Sequence, residues 1–593
     1  MFVENYAFVG ILAGSWDHLI YVLPYWLRSG QTALQANTGL KAIVLISPLA
    51  LAGKSCADSA IGHAGCISLS RKTPVTHLAL HKGRIMKASP WLTVTRRNFP
   101  TVSSDDTFDV VVIGGGFAGL TTAHLLTTAG MRVAVLERDL IGGGESSRTT
   151  AHLTQVLDLR LKKLVDKFGR GGAQAVFDGG QIAINHIEAI ADANNIECDF
   201  QRVPGILHGA WKYEPDESPQ LQEEVALARE LGYEAEFVPN VTICDRAGIR
   251  YPQQARIHPL KYIQGLAKLL TREGCKIFEH SEVTDFDEAG FRVRCGDHWL
   301  KCGHVVITTH VPLQGRTGFL SALKLQSQIH SYTSYAISAE VRCGRVPDAL
   351  YWDTSEPYYY LRVIPGNDVD HVIFGGEDHK TGQADDLEQR FAQLTGRLHA
   401  FLPEARVMHR WSGQVIESDD GLPYIGPVAE RQFVATGFGG NGLTLGTLSG
   451  LMAHDLIAGH TNPWSELFKP HRLPGRGGVV EYIRENIDYP LRMIKDRFTP
   501  AEGTSVDEVT IGEGKILSLD GQTVACSRSR EGEVHVVSAY CTHMGCLVKW
   551  NGAEQTWDCP CHGSRFSPDG SVIGGPAESQ LPVIEGHTAK ARG

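Results

Sequence analysis

The chain lacks any uninterrupted run of about eighteen apolar residues, the length a membrane-crossing helix needs, so no span is expected. It also lacks a basic block: Lys and Arg total 56 against 66 Asp and Glu, a net charge of −10. A net-acidic chain of that kind is a poor match for nucleic acid, and that partner class drops out. Cysteine is sparse, 13 in 593 residues, too few for a disulfide scaffold. No internal repeat and no low-complexity tract is found. What is present is ordinary globular composition, 42% hydrophobic and 21% charged, which excludes wholesale disorder. The length suits about three or four domains of roughly 150 residues each. Four of the cysteines fall within residues 541–561, and function is best sought there.

Charge and composition divide the chain. Residues 1–100 hold ten basic and three acidic side chains, leaving 46 against 63 for the remainder. That leader has no sustained periodicity, and its one apolar run, residues 42–52, is too short to span a bilayer. A basic, acid-poor leader suits an organelle-targeting segment, as for a mitochondrion. The plainer reading, preferred here, is a start codon placed too early, with Met86 opening a short polar approach to the first strand and a cytoplasmic protein as the result. Either way residues 1–107 are expected to be a poorly ordered leader. Residues 108–470 alternate strand-like and helical segments. Residues 471–504 read as a linker, with breaks at 474–478 and 499–503 around a helical stretch at 479–497. Residues 505–593, short runs between Gly and Asp, read as a small all-β module.

A strand-like run at 109–113 leads into Gly114-Gly-Gly-Phe-Ala-Gly119, then a helical segment, then a second strand ending at Glu137. Gly114, Gly116 and Gly119 therefore match G-x-G-x-x-G in its βαβ setting. The first permits a tight turn, the second lets a pyrophosphate approach the backbone, and the third allows close helix–strand packing. The helix N-terminus offers N–H groups and the positive end of its dipole to phosphate. Glu137, 18 residues after Gly119, is placed to accept from ribose hydroxyls. Arg138 beside it, and Ser147 and Thr149 in the hydroxyl-rich loop at 142–152, are further cofactor-binding candidates.

Near the other end, Asp420-Gly-Leu-Pro-Tyr-Ile-Gly426 precedes Phe433-Val-Ala-Thr-Gly-Phe-Gly-Gly-Asn-Gly442 and an apolar helix. With these motifs, residues 108–465 resemble the FAD-dependent D-amino-acid oxidase, glycine oxidase and sarcosine oxidase superfamily. The resemblance implies an α+β arrangement, a Rossmann-like FAD domain interleaved with an antiparallel-sheet substrate domain. It also implies that the helix after Gly442 points its N-terminus at the flavin. Gly437, Gly439 and Gly442 satisfy G-x-G-x-x-G as well, so a second site, for NAD(P)H, stays in play. No strand ending in an acid follows them at the usual distance.

Two departures touch the substrate. Superfamily amino-acid oxidases carry an Arg after the Pro of a substrate-domain strand, to clamp a carboxylate; here Pro365 is followed by Gly366. Arg362, on the strand itself, is a candidate substitute, and also reads as a structural Arg. The Gly-x-Arg-Pro stretch of the family is replaced by Trp411-Ser-Gly-Gln-Val415. Tyr360 and His152 are catalytic candidates, with Tyr359 as a further flavin-facing group, and packing roles compete for each.

The most specific signals are Cys541-Thr-His543 and Cys559-Pro-Cys-His562, separated by 15 residues. That is the ligand spacing of a Rieske [2Fe-2S] centre, with two thiolates on one iron and two imidazoles on the other. Cys541, His543, Cys559 and His562 are the expected metal ligands; zinc is the rival ion for such a set. The module, about residues 505–590, resembles the respiratory and photosynthetic Rieske proteins. The resemblance implies a disulfide between Cys546 and Cys561, a covering loop at Gly574-Gly-Pro-Ala577, and a hydrogen bond from Ser564 to a cluster sulfur. Two residues on, high-potential members have Tyr where this chain has Phe566, so a lower potential is expected. The other nine cysteines read as small buried residues.

Flavin and Rieske centres in one chain, an architecture shared with a group of FAD-dependent oxidoreductases bearing a C-terminal Rieske domain, imply an oxidoreductase. The expectation is a dehydrogenase of a small amine or amino-acid-like substrate whose electrons pass from FAD through the cluster to an external protein acceptor. The rivals are an NAD(P)H-driven flavin/Rieske reductase and a non-catalytic redox sensor. A Rieske oxygenase would need a mononuclear iron site, and no D/E-x-x-H-x4-H segment occurs.

Overall fold

The computed structural model describes residues 85–211, 215–313, 323–472 and 500–586. The expected helix at 479–497 and residues 1–84 of the leader lie outside the described residues.

Asp106–Ile113 forms a strand whose last four residues are fully or almost fully buried, as a parallel strand covered on both faces must be. It lies between parallel neighbours Val133–Leu136 and His298–Ile307, with Lys276–Phe278 and Gln432–Thr436 continuing the sheet outward. Tyr424–Ala429 closes one edge antiparallel, and a hairpin hangs from His298–Ile307. Two helices cover this sheet, Phe117–Thr128 and Gly442–Ile457. They approach closely because small residues face each other: a Cβ on Gly446 would sit 3.2 Å from the Ala118 Cβ, and one on Gly450 3.1 Å from the Thr122 nitrogen.

The chain passes back and forth between this sheet and a second, nine-stranded one. Ile329–Arg342, Val369–Lys380 and Arg406–Ser418 form its long antiparallel centre, with Tyr360–Ile364, Leu350–Asp353, Gln201–His208 and Arg246–Arg256 beyond. One continuous core, holding Val110, Leu120, Ile373, Trp411 and Leu448 together, joins the two sheets. The interleaving expected from the sequence is thus present.

Three boundaries move. Residues 85–107, expected to be poorly ordered, instead form a strap over the oxidoreductase domain. Met86 exchanges backbone hydrogen bonds with Met408 and Arg410 (both 2.9 Å), and Trp91 is buried, its indole N–H donating to the Thr149 carbonyl at 2.7 Å. Short apolar anchors in a polar stretch do this without periodicity, which is why the sequence pattern missed it. The domain also runs past residue 470: the Arg472 guanidinium is buried against Asp420, 2.6 Å from its Oδ1, and bonds four nearby carbonyls as well.

The C-terminal module starts before residue 505, since Glu502 and Gly503 already exchange backbone hydrogen bonds with 516–518. It holds a three-stranded sheet (Gly514–Leu519, Gln522–Arg528, Val534–Ser538) and a four-stranded one (Lys549–Asn551, Thr556–Asp558, Arg565–Phe566, Val572–Gly574), all antiparallel. Of the scattered cysteines, Cys343 is exposed and Cys244 half-buried, contrary to expectation; Cys198, Cys275, Cys295, Cys302 and Cys526 are buried. Among the described residues no helix is long and apolar enough to cross a membrane.

Candidate functional site

The first glycine cluster forms a cradle that side chains would fill. Gly114 has φ +108°, and a Cβ there would lie 2.8 Å from the Thr308 carbonyl oxygen. A Cβ on Gly119 would lie 1.9 Å from the Gly114 oxygen, so strand and helix meet this closely only with glycine. Gly116 caps the Phe117 helix. Glu137 is half-buried and accepts from the Gly115 N–H (2.8 Å) and the Asp139 N–H (2.8 Å); desolvation pushes its carboxyl above the usual range. Each oxygen keeps a lone pair for a further donor, as a ribose hydroxyl would be.

The other cofactor candidates are placed differently. Ser147 turns away, donating to the Gly143 and Gly144 carbonyls, and it is Ser146 whose Oγ meets the Phe117 N–H at 3.1 Å, at the helix N-terminus. Thr149 shapes its own loop, its Oγ1 accepting from the Ala151 N–H. Arg138 reaches away to the Ile573 carbonyl in the C-terminal module (2.9 Å). Gly437, Gly439 and Gly440 all adopt positive φ in the loop before the Gly442 helix. The preceding strand, Gln432–Thr436, belongs to the same sheet as Asp106–Ile113 and the two helices pack together, so the second glycine motif lies beside the first in one domain.

Polar groups gather beside this second loop. The Tyr358 hydroxyl donates to Asp158 at 3.0 Å, and Asp158 Oδ2 lies 3.2 Å from where a Gly440 Cβ would be. Tyr360 shares a 2.9 Å hydrogen bond with Ser334, and the His152 ring meets Tyr360 edge-on at 5.9 Å. Desolvation raises half-buried Asp378 to about 7 and lowers half-buried His152 to about 3, so the imidazole is neutral at pH 7, while the Asp158 carboxylate is open to solvent. Tyr359, one residue out of phase, faces the other side and bonds Glu377. Arg362 is no carboxylate clamp: its Nη1 donates to the carbonyls of Thr150, Ala151 and Ile257, and the guanidinium lies 5.3 Å from the Trp91 ring centre. Sequence reasoning missed Asp158, Asp378 and Tyr358; no motif marks them.

In the C-terminal module the two expected ligand loops face each other. Cys541 and Cys559 are buried and within hydrogen-bonding reach of one another, and the His543 and His562 rings are 4.8 Å apart. Burial lowers His543 to about 4 and His562 to about 3, leaving neutral imidazoles as ligation requires. Cys546 and Cys561 are joined as a disulfide, which removes them from the donor set and leaves Cys541, His543, Cys559 and His562. Ser564 Oγ accepts from the Ala577 N–H of the covering loop at 3.1 Å, and it also bonds Cys541.

The two loops have different surroundings. Thr542, Met544 and Gly545 are exposed. Residues 559–563 instead press on the oxidoreductase domain: Ser331 donates to the His562 carbonyl (3.2 Å), Gln383 to that of Pro560 (2.9 Å) and Gln414 to that of Gly563 (2.8 Å). A Cβ on Gly563 would lie 2.4 Å from the Ser331 Cβ, so glycine permits the approach. Buried Gln414 also donates its backbone N–H to Glu145 Oε2 (2.8 Å), in the loop that carries Ser146.

A dinucleotide cradle with a second glycine loop beside it, joined to a two-Cys, two-His module with a buried disulfide, defines a flavoprotein oxidoreductase with an appended Rieske centre. The FAD dependent oxidoreductase family matches residues 109–456, and the Rieske [2Fe-2S] domain matches residues 502–585. The chain belongs to that FAD-dependent oxidoreductase family. It is 30% identical over 498 residues, 82% of this chain and 95% of the other, to the Bacillus subtilis (strain 168) protein YhfW, named as a Rieske 2Fe-2S iron-sulfur protein. It is 23% identical over 405 residues, 64% of this chain and 90% of the other, to gamma-glutamylputrescine oxidoreductase of Escherichia coli (strain K12). Glycine oxidase from Geobacillus kaustophilus shares the fold, with a TM-score of 0.52 at 19% identity over 62% of this chain and 99% of that one. The protein is therefore an oxidoreductase whose cofactors are FAD and a Rieske [2Fe-2S] cluster.

Proposed function

We propose that this protein oxidises a small amine and passes the electrons, one at a time, through its Rieske cluster to an external one-electron acceptor. The observation that carries the reading is the seating of the His562 loop on the oxidoreductase domain, with Gln414 bonded at once to Gly563 and to the loop of Glu145. Bound FAD supplies two-electron acceptance from the substrate, and the cluster supplies one-electron transfer. The residues do the rest. Gly114, Gly116, Gly119 and Glu137 hold the dinucleotide, and the positive end of the Gly442 helix favours negative charge near its start.

The choice of an amine over an amino acid follows from the charges near Gly440. With Arg362 engaged by three carbonyls, the ionisable groups there among the described residues are Asp158, Asp378, Tyr358, Tyr360 and the neutral His152, and the two carboxylates complement an ammonium group. The similarity to gamma-glutamylputrescine oxidoreductase supports an amine substrate. Asp378 has a folded value above the ordinary one, so the fold favours its protonated form. That stabilising contribution is whole below about pH 4 and lost as pH rises through about 7. Amine binding needs the anions and has the opposite trend: KM should fall as pH rises through that window, and Asp378→Asn should flatten the fall. A KM independent of pH from 5.5 to 8 contradicts the assignment.

The test is anaerobic. Diamines, monoamines, amino acids and NADH are added separately while flavin absorbance and the EPR signal of the reduced cluster are followed. Bleaching by an amine followed by the cluster signal is expected. Reduction by NADH alone overturns the reading in favour of a reductase, and cluster reduction without substrate turnover does so in favour of a sensor.

A further inference from the structure

Away from the flavin cradle, a cavity of about 410 Å³ opens where three parts of the chain meet. These are the strap at 87–92, the loop at 143–148 with the neighbouring Arg410–Trp411, and the C-terminal module around 553–556. Its volume lies within the range of small-molecule sites, about 300–1,000 Å³.

Five cations line it: Lys87, Arg148, Arg410, Arg530 and Arg565. Their carboxylate partners are fewer. Lys87 and Arg410 share Glu388, at 3.4 and 2.6 Å. Arg148 (3.8 Å) and Arg565 share Glu554, and Arg565 also pairs with Asp558 at 3.1 Å. Arg530 has no ion-pair partner among the described residues. Five cations thus face three carboxylates, an excess of two positive charges in a partly desolvated space. Partial burial, then Arg410 and to a lesser degree Arg530, hold the Lys87 ammonium below its usual value against the opposing pull of Glu388. Such an excess calls for a counter-charge. Trp411, Phe391, Leu92 and Ile573 add apolar walls, the last two solvent-facing.

We propose that this cavity is a binding site for a small phosphomonoester with an apolar or aromatic body. A phosphomonoester carries about −1.5 to −2 charges near neutrality, matching the excess, and presents three oxygens to guanidinium forks. The apolar walls take the rest of the molecule. The site is separate from the dinucleotide cradle, because Ser146 faces the Phe117 helix while Gly143 and Ser147 line the cavity. Its occupant touches both domains at once, so binding favours the seated position of the C-terminal module. This assignment stands apart from the redox reading.

The test is calorimetric titration of the fully FAD- and cluster-loaded protein with AMP, inorganic phosphate and succinate at fixed ionic strength. Hydrogen exchange is followed at 86–92 and 553–556. AMP should bind once per chain and protect both segments, phosphate more weakly, and succinate least. Arg530→Gln and Lys87→Gln, both at accessible positions, should each weaken AMP at least tenfold. The assignment is overturned by the absence of saturable AMP binding, by affinity unchanged in both variants, or by succinate binding alone. It is also overturned if AMP binds only after FAD has been removed, since the site would then be the dinucleotide's own.

Discussion

The two ligand loops of the Rieske module carry the same chemistry in opposite settings. Residues 541–546 present Thr542, Met544 and Gly545 to solvent, while residues 559–563 are held by Ser331, Gln383 and Gln414 of the oxidoreductase domain. Each loop provides one thiolate and one imidazole, so ligand identity does not distinguish them. Their contacts do. The loop of His562 lies against the oxidoreductase domain and that of His543 faces solvent, which gives the ligand set an inner and an outer side.

The strongest way to break the comparison is to remove the cluster. Cys559→Ser should abolish the EPR signal and reduce electron delivery to ferricyanide to background, while an amine still bleaches the flavin. Loss of bleaching as well would show that the two sites are not separable. Next comes the inner side. Gln414→Leu leaves the buried Gly563 carbonyl without that donor, a penalty of about 1–3 kcal/mol. Hydrogen exchange at 559–563 should rise about tenfold or more, and substrate-driven cluster reduction should slow, with ligation and EPR line shape unchanged. Met544→Glu acts only on the outer side: reoxidation by an external acceptor should change severalfold and become salt-dependent, with cluster reduction by substrate unaltered. The smallest effect is Phe566→Tyr, which restores a phenolic donor close to the cluster and should raise its potential in a redox titration, since hydrogen bonds to sulfur favour the reduced cluster.

What the sequence made legible was local. Gly114 to Glu137 and Cys541 to His562 lie within short spans whose spacing is set by one turn or one pair of loops, so residue type and interval carry the chemistry. Arg362 misled because its strand position was right and its environment was invisible: three carbonyls brought in from Thr150, Ala151 and Ile257 engage it. Gln414 left no trace, since its partner Glu145 is 269 residues away and the two meet only when the strands have paired. Asp158 likewise meets the Gly440 loop, and Asp378 comes near Asp158, only through tertiary packing.

The central claim is that the inner side of the cluster takes electrons from the amine-oxidising site of the same chain. Rapid-freeze EPR during a single anaerobic turnover with an amine substrate tests it most directly. The expected result is a reduced-cluster signal that grows within the turnover that bleaches the flavin, and that lags in Gln414→Leu. Flavin bleaching with a silent cluster, or identical time courses in the two proteins, would contradict the account.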